Sequence, residues 1–127
     1  MSLVRVDLLT REYPPHVYGG AGVHVSELSA VLRQHIDVRV RCFDGERSEE
    51  GVTGYDVPSA LADQNAALKT FGVDLLMAGD VAGADLVHSH TWYANLAGHL
   101  AGLLHGIPHL VSAHSLEPLR PWKASRK

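Results

Sequence analysis

The sequence predicts an α/β fold, in which helices flank a doubly wound parallel sheet. Short apolar segments alternate along the chain with segments of helical periodicity, a pattern typical of parallel sheets with right-handed crossovers. The residues with the most distinctive chemistry directly follow predicted strands. Because ligands of such sheets bind beyond the carboxyl ends of the strands, we expect these residues to meet at one edge.

Four short apolar segments are predicted to be strands. Residues 37–43 show the pattern best, because valine and cysteine alternate there with Arg39 and Arg41. Turn or breaker residues bound several of the segments. The predicted strands are 4–9, 37–43, 85–88 and 109–112, and 44–54 is expected to be an exposed loop.

Three segments have the periodicity of helices that bury one apolar face. The first runs from about Gly20 to Gln34, the second starts near Pro58, and the third ends at Gly106. The stripes expected to face the core are Val25, Leu28, Val31 and Leu32; then Leu61, Leu68, Phe71 and Leu75; then Trp92, Leu96, Leu100, Leu103 and Leu104.

Composition excludes several classes of protein. The 127 residues suffice for one domain, and an apolar share of 46% with 20% charged residues excludes a disordered tail. A net charge of −3 argues against a general nucleic-acid binder. No apolar run is long enough for a membrane span. Cys42 is the single cysteine, which agrees with a reducing environment, so we expect a cytoplasmic location.

A glycine-rich loop, residues 17–22, leads straight into the first helix. Glycines allow close approach of a ligand, and the free N–H groups of a helix N-terminus attract phosphate, although a plain strand-to-helix turn has the same composition. Counted from Gly20, the third glycine of a dinucleotide fingerprint falls on Val25, so a nicotinamide oxidoreductase ranks last. His24 lies in the first helical turn, within reach of a phosphate or of the adjacent loop.

His88 and His90 lie on the same side of a strand end, as two metal ligands would. No carboxylate or cysteine nearby completes a ligand set, so hydrogen bonding within a polar site is the main alternative.

His114 follows small residues at the end of the fourth strand, and Arg120 and Lys123 come soon after. Two cations near a neutral imidazole suit a phosphorylated sugar, with Trp92 and Tyr93 as flat faces on which sugars stack. The alternative reading of the cations is a solvated terminus.

Three stretches, "LLTREYPPHVYGGAGVHVSEL", "DLVHSHTWYANLAGHLAGLLHGIP" and "LVSAHSLEPLRPWK", together resemble bacterial glycogen synthase-type glycosyltransferases of the retaining family four. The likeness is greatest to the actinobacterial branch of glycogen and α-maltose-1-phosphate synthases. It implies a GT-B fold, in which two Rossmann-like domains face each other across a cleft, with no catalytic metal. Residues 4–124 then form the N-terminal, acceptor-side domain, 1–3 are interpreted as a cloning remnant, and 125–127 diverge.

The resemblance also implies roles for individual residues. His114 matches the family's active-site histidine, which contacts the transferred sugar. Gly20 and Gly22, joined by His24, are assigned to the diphosphate of a nucleotide-sugar donor, expected to be ADP-glucose, and no separate cofactor is implied. The acceptor, an α-glucan or glucose 1-phosphate, is assigned to Arg11, Trp92, Tyr93, Arg120 and Lys123.

Two departures from the family limit the assignment. The segment Thr91-Trp92-Tyr93 differs from that of the classical bacterial enzymes, and the second domain is absent. We therefore expect the chain alone to transfer no sugar and to associate with its missing domain or with itself through the exposed domain face. The alternatives are a stand-alone α/β binding module and a metal-dependent hydrolase that uses His88 and His90.

Overall fold

The computed structural model describes residues 4–17 and 20–112. Within these ranges five strands pair into one parallel sheet, with three helices and a short 3₁₀ turn at Ser59–Leu61 in the connections. The predicted α/β class, a Rossmann-like parallel sheet with flanking helices, is confirmed. The strands are β1 (Arg5–Thr10), β2 (Asp37–Phe43), β3 (Val52–Tyr55), β4 (Leu86–His90) and β5 (His109–Ser112), and the helices are α1 (Gly20–Leu32), α2 (Ala66–Asp80) and α3 (Trp92–His105).

The strand order is β3-β2-β1-β4-β5, with β1 in the centre. One face of the sheet packs with Val25 of α1, and the other packs with Val73 and Met77 of α2 and Ala97 of α3. Helices therefore cover both faces, as a doubly wound sheet requires. Among the helices that the structure describes, none has the length and apolar character needed to cross a membrane.

Asp7 is fully buried in the central strand, where two arginines hold it. Its carboxylate accepts hydrogen bonds from Arg5 Nε at 2.9 Å and from Arg41 Nε at 3.0 Å. Arg41 also donates to the Tyr55 hydroxyl at 3.0 Å, and that hydroxyl donates to Asp80 at 2.7 Å. Arg41, read from the sequence as the polar side of an alternating strand, is buried because Asp7 supplies the compensating charge.

α3 packs through small residues. An added Cβ at Gly98 would lie 2.1 Å from Nε2 of His109 on β5, so helix and strand approach more closely than an alanine would permit. The same His109 nitrogen is hydrogen-bonded to Ser89 Oγ of β4 at 2.7 Å. Burial, and secondarily the charge of His99, lowers the pKa of His109. The buried face of α3 consists of Ala94, Ala97, Gly98 and Ala101.

Most of the large residues predicted to face the core lie instead at the surface. The buried positions of α2 are Gly72, Val73, Asp74, Met77 and Ala78, and those of α3 are small, so each helix is rotated from the predicted orientation. The small residues on α3, and Gly72 and Ala78 on α2, are buried because they let the helices lie closer to the sheet and to each other. The exposed members of the predicted stripes are Val31, Leu68, Phe71, Leu75, Trp92, Leu103 and Leu104.

Two boundaries also differ from the sequence prediction. α2 begins at Ala66, because the side chain of Asn65 accepts a hydrogen bond from the backbone N–H of Leu68 at 2.9 Å and caps the helix. The expected loop 44–54 contains the start of β3, an edge strand that pairs with β2. A four-residue strand that includes Gly54 carries too short an alternation to be recognised from sequence.

Candidate functional site

Parallel pairing brings the carboxyl ends of the three strands β1, β4 and β5 to one level. Thr10 is in register with His90, and His90 with Ser112. The connections after β1 and β4 depart toward opposite faces of the sheet, which makes this the point where ligands of doubly wound sheets bind. We call residues 11–17, 44 and 91–93, which follow β1, β2 and β4, the rim.

On the α2–α3 side of the rim, three residues assigned to the acceptor come together. The guanidinium carbon of Arg11 lies 4.7 Å from the centre of the Tyr93 ring, and Tyr93 stacks on Trp92 with ring centroids 3.9 Å apart. Trp92 is 68% exposed and offers its outer face to solvent. Cation–π contact and stacking hold this group at the end of the sheet, and its role in acceptor binding remains a prediction.

Arg11 also lines a cavity of about 180 Å³, together with Lys69 and Thr70 of α2. Asp44, which adopts a left-handed conformation with φ of 66°, lines the same cavity. Arg11 and Lys69 outweigh the single carboxylate of Asp44 around this small cavity, and with the Thr70 hydroxyl they suit an anionic group such as phosphate. Lys69 and Thr70 were not predicted as site residues, because the apolar stripe of the sequence predicts the wrong buried face for α2.

On the α1 side of the rim lies a group of histidines. The ring centroids of His24 and His90 are 5.7 Å apart, and those of His88 and His90 are 4.1 Å apart. His88 Nε2 is hydrogen-bonded to Ser112 Oγ at 2.6 Å. The predicted placement of His88 and His90 on one side of the strand is thus correct. In the described part of the chain, no three histidine, cysteine or acidic side chains gather into a group that would hold a metal ion.

The two glycines assigned to the donor have different surroundings. Gly20 begins α1, and a Cβ added there meets no atom of the described residues within 4 Å. Gly22 is buried, and an added Cβ would lie 3.0 Å from the Cβ of Glu12 and 3.1 Å from Val17 Cγ2. Gly22 therefore lets α1 pack against the rim segment, whereas Gly20 has no described neighbour at its Cβ position.

Thr91, which joins β4 to α3, has an unusual backbone conformation. Its φ of 67° lies in the left-handed region, which is costly for a β-branched residue. Its hydroxyl is buried and has no hydrogen-bond partner among the residues that the structure describes. Strain and an unsatisfied hydroxyl together mark functional positions more often than ordinary turns. The sequence offered no signal for this beyond the departure of Thr91-Trp92-Tyr93 from the family pattern.

The remaining predicted site residues, His114, Arg120 and Lys123, lie outside the described residues. Their assigned roles in catalysis and acceptor binding therefore stay predictions. The structure places Ser112, the last described residue of β5, beside His88, so the chain leaves β5 next to the histidine group.

The chain is similar in fold to the UGT transferase of Siraitia grosvenorii, solved in complex with UDP. The TM-score is 0.50 at 16% identity, and the match covers 88% of this chain and 24% of that one. At this identity the likeness shows the fold alone.

Sequence similarity is much stronger to alpha-maltose-1-phosphate synthases. The chain is 57% identical to the enzyme of Mycobacterium tuberculosis over 120 residues and 55% identical to that of Mycolicibacterium smegmatis over 123 residues. These matches cover 94% and 97% of this chain, which spans only about 30% of the length of the relatives. Residues 18–127 match the model of Glycosyltransferase Family 4. The chain therefore belongs to Glycosyltransferase Family 4.

Proposed function

We propose that this chain is the acceptor-side half of a retaining glycosyltransferase of the GT-B fold, which transfers glucose from ADP-glucose to glucose 1-phosphate. The relatives are named for the product of that transfer, α-maltose 1-phosphate. The observation that carries the proposal is the cavity at the carboxyl edge of the sheet. Arg11 and Lys69 both line this cavity, and the stacked pair of Trp92 and Tyr93 lies beside it. An α-glucan chain is the second acceptor that the same site would serve.

In this proposal the acceptor phosphate lies between Arg11 and Lys69, and the Thr70 hydroxyl donates a further hydrogen bond. Tyr93, which contacts Arg11 at the edge of the cavity, and Trp92, which stacks on Tyr93, supply apolar faces for the sugar ring. Arg120 and Lys123 are assigned to the same acceptor. A planar guanidinium recognises phosphate by paired hydrogen bonds, whereas an ammonium acts as a point charge.

The donor is assigned to the other side of the rim. The N-terminus of α1 begins at Gly20 beside the carboxyl edge of the sheet, and the N–H groups and dipole of a helix N-terminus both stabilise a diphosphate. Gly22 shapes this helix start, and His24, in the first turn of α1, lies near His90 and the transferred sugar. No cofactor beyond the nucleotide sugar is needed in this scheme.

In the transfer, the bond between glucose C1 and the diphosphate oxygen breaks, and C1 bonds to an acceptor hydroxyl oxygen. The proton of that hydroxyl ends on the departing diphosphate. His114 is assigned to the developing charge on the sugar ring, and the second domain, in the remainder of a longer parent, is assigned to the nucleotide. We place the parent in the cytoplasm.

The test is a product assay with the full-length parent, ADP-glucose labelled in its glucose, and glucose 1-phosphate. We expect a labelled disaccharide phosphate from the parent and none from the chain of 127 residues. Turnover by the short chain alone would contradict its role as a half, and a parent that releases only free glucose would contradict glycosyl transfer to an acceptor.

A stand-alone binding module and a metal-dependent hydrolase were the two alternatives from sequence. The hydrolase would need a third ligand beside His88 and His90, and the described residues supply no such group. Neither alternative is favoured by a specific contact in the structure.

A further inference from the structure

A groove of about 260 Å³ runs between α2 and α3, where it includes Trp92 and Tyr93 of the rim, and it adjoins the Arg11–Lys69 cavity at Thr70. Its walls are apolar and aromatic, and its polar side chains are few. The lining residues are Ala67, Thr70, Phe71, Asp74, Trp92, Tyr93 and Leu96.

Asp74 is the unusual member of this lining. The residue is 1% exposed, and its Oδ1 has no hydrogen-bond partner among the residues that the structure describes. Burial alone raises the pKa of the Asp74 carboxyl to about 8, and no neighbouring charge contributes. Ionised carboxylates buried in proteins are paired with cations or satisfied by hydrogen bonds. Because the described residues supply no such partner, the Asp74 carboxyl is held as the neutral acid, and a cation bound in the groove would stabilise its ionised form.

The aromatic lining indicates which class of ligand would pair with the Asp74 carboxyl. Phe71, Trp92 and Tyr93 line the same groove as Asp74, and aromatic faces attract organic cations through their quadrupole. A buried carboxylate beneath such rings adds charge pairing in a medium of low dielectric constant. We propose that the α2–α3 groove binds a small organic ammonium ion, with its charge on Asp74 and its alkyl groups against Phe71 and Trp92.

The surrounding charges are compatible with this ligand. Arg11, Asp44 and Lys69 line the neighbouring cavity beyond Thr70, and none of them contributes to the pKa of Asp74. Tyr93 is the other titratable group in the groove itself. An anion would meet a carboxyl and apolar walls. The volume is below that of pockets for drug-sized ligands, which favours a small molecule.

The test is calorimetric titration of the chain with choline and with its uncharged analogue, in which a tert-butyl group replaces the trimethylammonium group. We expect choline to bind and the analogue to bind at least tenfold more weakly. Because choline requires the ionised carboxyl, its affinity should rise on the order of a hundredfold from about pH 6 to about pH 9. Buffers of different ionisation heat should show release of about one proton per choline bound near pH 7.

Variants separate the groove from general effects of charge. Asp74→Asn should abolish choline binding, and Asp63→Asn, which removes an exposed carboxylate just before α2, should leave it unchanged. Trp92→Leu alters a side chain that is largely exposed, so the fold is retained, and choline affinity should fall about fivefold or more. Equal binding of the uncharged analogue, unchanged binding by Asp74→Asn, or no binding at any pH would each overturn the proposal. Trp92 is also assigned to the acceptor, whereas Asp74 is not, so the Asp74→Asn result distinguishes failure of this proposal from failure of the proposed glycosyl transfer.

Discussion

At Gly98, α3 packs so closely against His109 of β5 that there is no room for a side chain. In Gly98→Ala the new methyl group would lie 2.1 Å from Nε2, 2.4 Å from Cδ2 and 2.6 Å from Cε1 of His109. The ring has little freedom to withdraw, because Ser89 Oγ is hydrogen-bonded to the same Nε2 at 2.7 Å. The helix or the ring must therefore move.

The expected size of the effect follows from three terms. Overpacking a close contact costs about 1–3 kcal/mol, and loss of the Ser89–His109 hydrogen bond costs about 1 kcal/mol. Replacing a helical glycine by alanine returns about 1 kcal/mol. Gly98→Ala should thus lower the free energy of unfolding by about 1–3 kcal/mol.

Gly102 provides the matched control in the same helix. An added Cβ there would lie 3.4 Å from the carbonyl oxygen of Ile107, an ordinary contact, so Gly102→Ala should be neutral or stabilising by up to about 1 kcal/mol. Urea denaturation followed by circular dichroism measures both variants. In Gly98→Ala, release of His109 from burial should also raise its pKa toward the ordinary value, as seen by NMR titration. A Gly98→Ala variant at least as stable as Gly102→Ala would refute the reasoning.

Three further predictions concern charged and catalytic groups. Asp7→Ala leaves the buried Arg41 and the partly buried Arg5 without their counter-charge and should lower the free energy of unfolding in urea by about 3–5 kcal/mol. Asp37→Ala, which removes an exposed pair, should change that free energy by less than about 1 kcal/mol, and equal losses in the two variants would contradict this. Burial raises the pKa of Asp74 to about 8, so between the unfolded-state pKa and about pH 8 the folded protein keeps a proton on this carboxyl that the unfolded chain has lost. With respect to this carboxyl, the folded state is therefore most stable at low pH, and this contribution to the free energy of unfolding is lost as the pH rises to about 8. Asp74→Asn should therefore gain stability over the wild type from about pH 5 to about pH 8, whereas Asp63→Asn should not, and parallel urea midpoints for Asp74→Asn and the wild type would contradict the shift. In the full-length parent, His114→Ala should lower kcat by on the order of a hundredfold while the fold is retained; a change in KM alone would show that His114 does not act on the transition state.

The sheet was predictable because its strands carry local signals. Residues 37–43 and 109–112 form β2 and β5 with the predicted bounds, and the strand-end rule correctly anticipated that Arg11 and Tyr93 would meet. In a parallel sheet the loops that follow neighbouring strands lie at the same edge, so Arg11 and Tyr93 are brought together by the strand order rather than by one particular contact.

Helix orientation was not predictable from the same signals. Periodicity gives most weight to large apolar residues, but α2 and α3 bury alanine and glycine and leave Leu75 and Leu103 outside. The error hid the residues that α2 contributes, Lys69 and Asp74. One signal was present: Asp74 is the single charged residue of the segment 71–79, whose other residues are apolar or glycine. A single acidic residue in an apolar helical segment either lies on the solvent-exposed face of the helix or is buried at a functional site.

The central claim, that the rim at the carboxyl edge of the sheet binds a phosphorylated acceptor, is tested most directly by acceptor discrimination in the full-length parent. The measurement is the ratio of kcat/KM for glucose 1-phosphate to that for maltose, in Arg11→Ala, Lys69→Ala and Arg39→Ala. Arg39, near the opposite end of β2, is exposed and serves as the control. We expect the ratio to fall by on the order of tenfold or more in the first two variants and to stay unchanged in the third. Equal losses for both acceptors, or a loss in Arg39→Ala alone, would contradict the account.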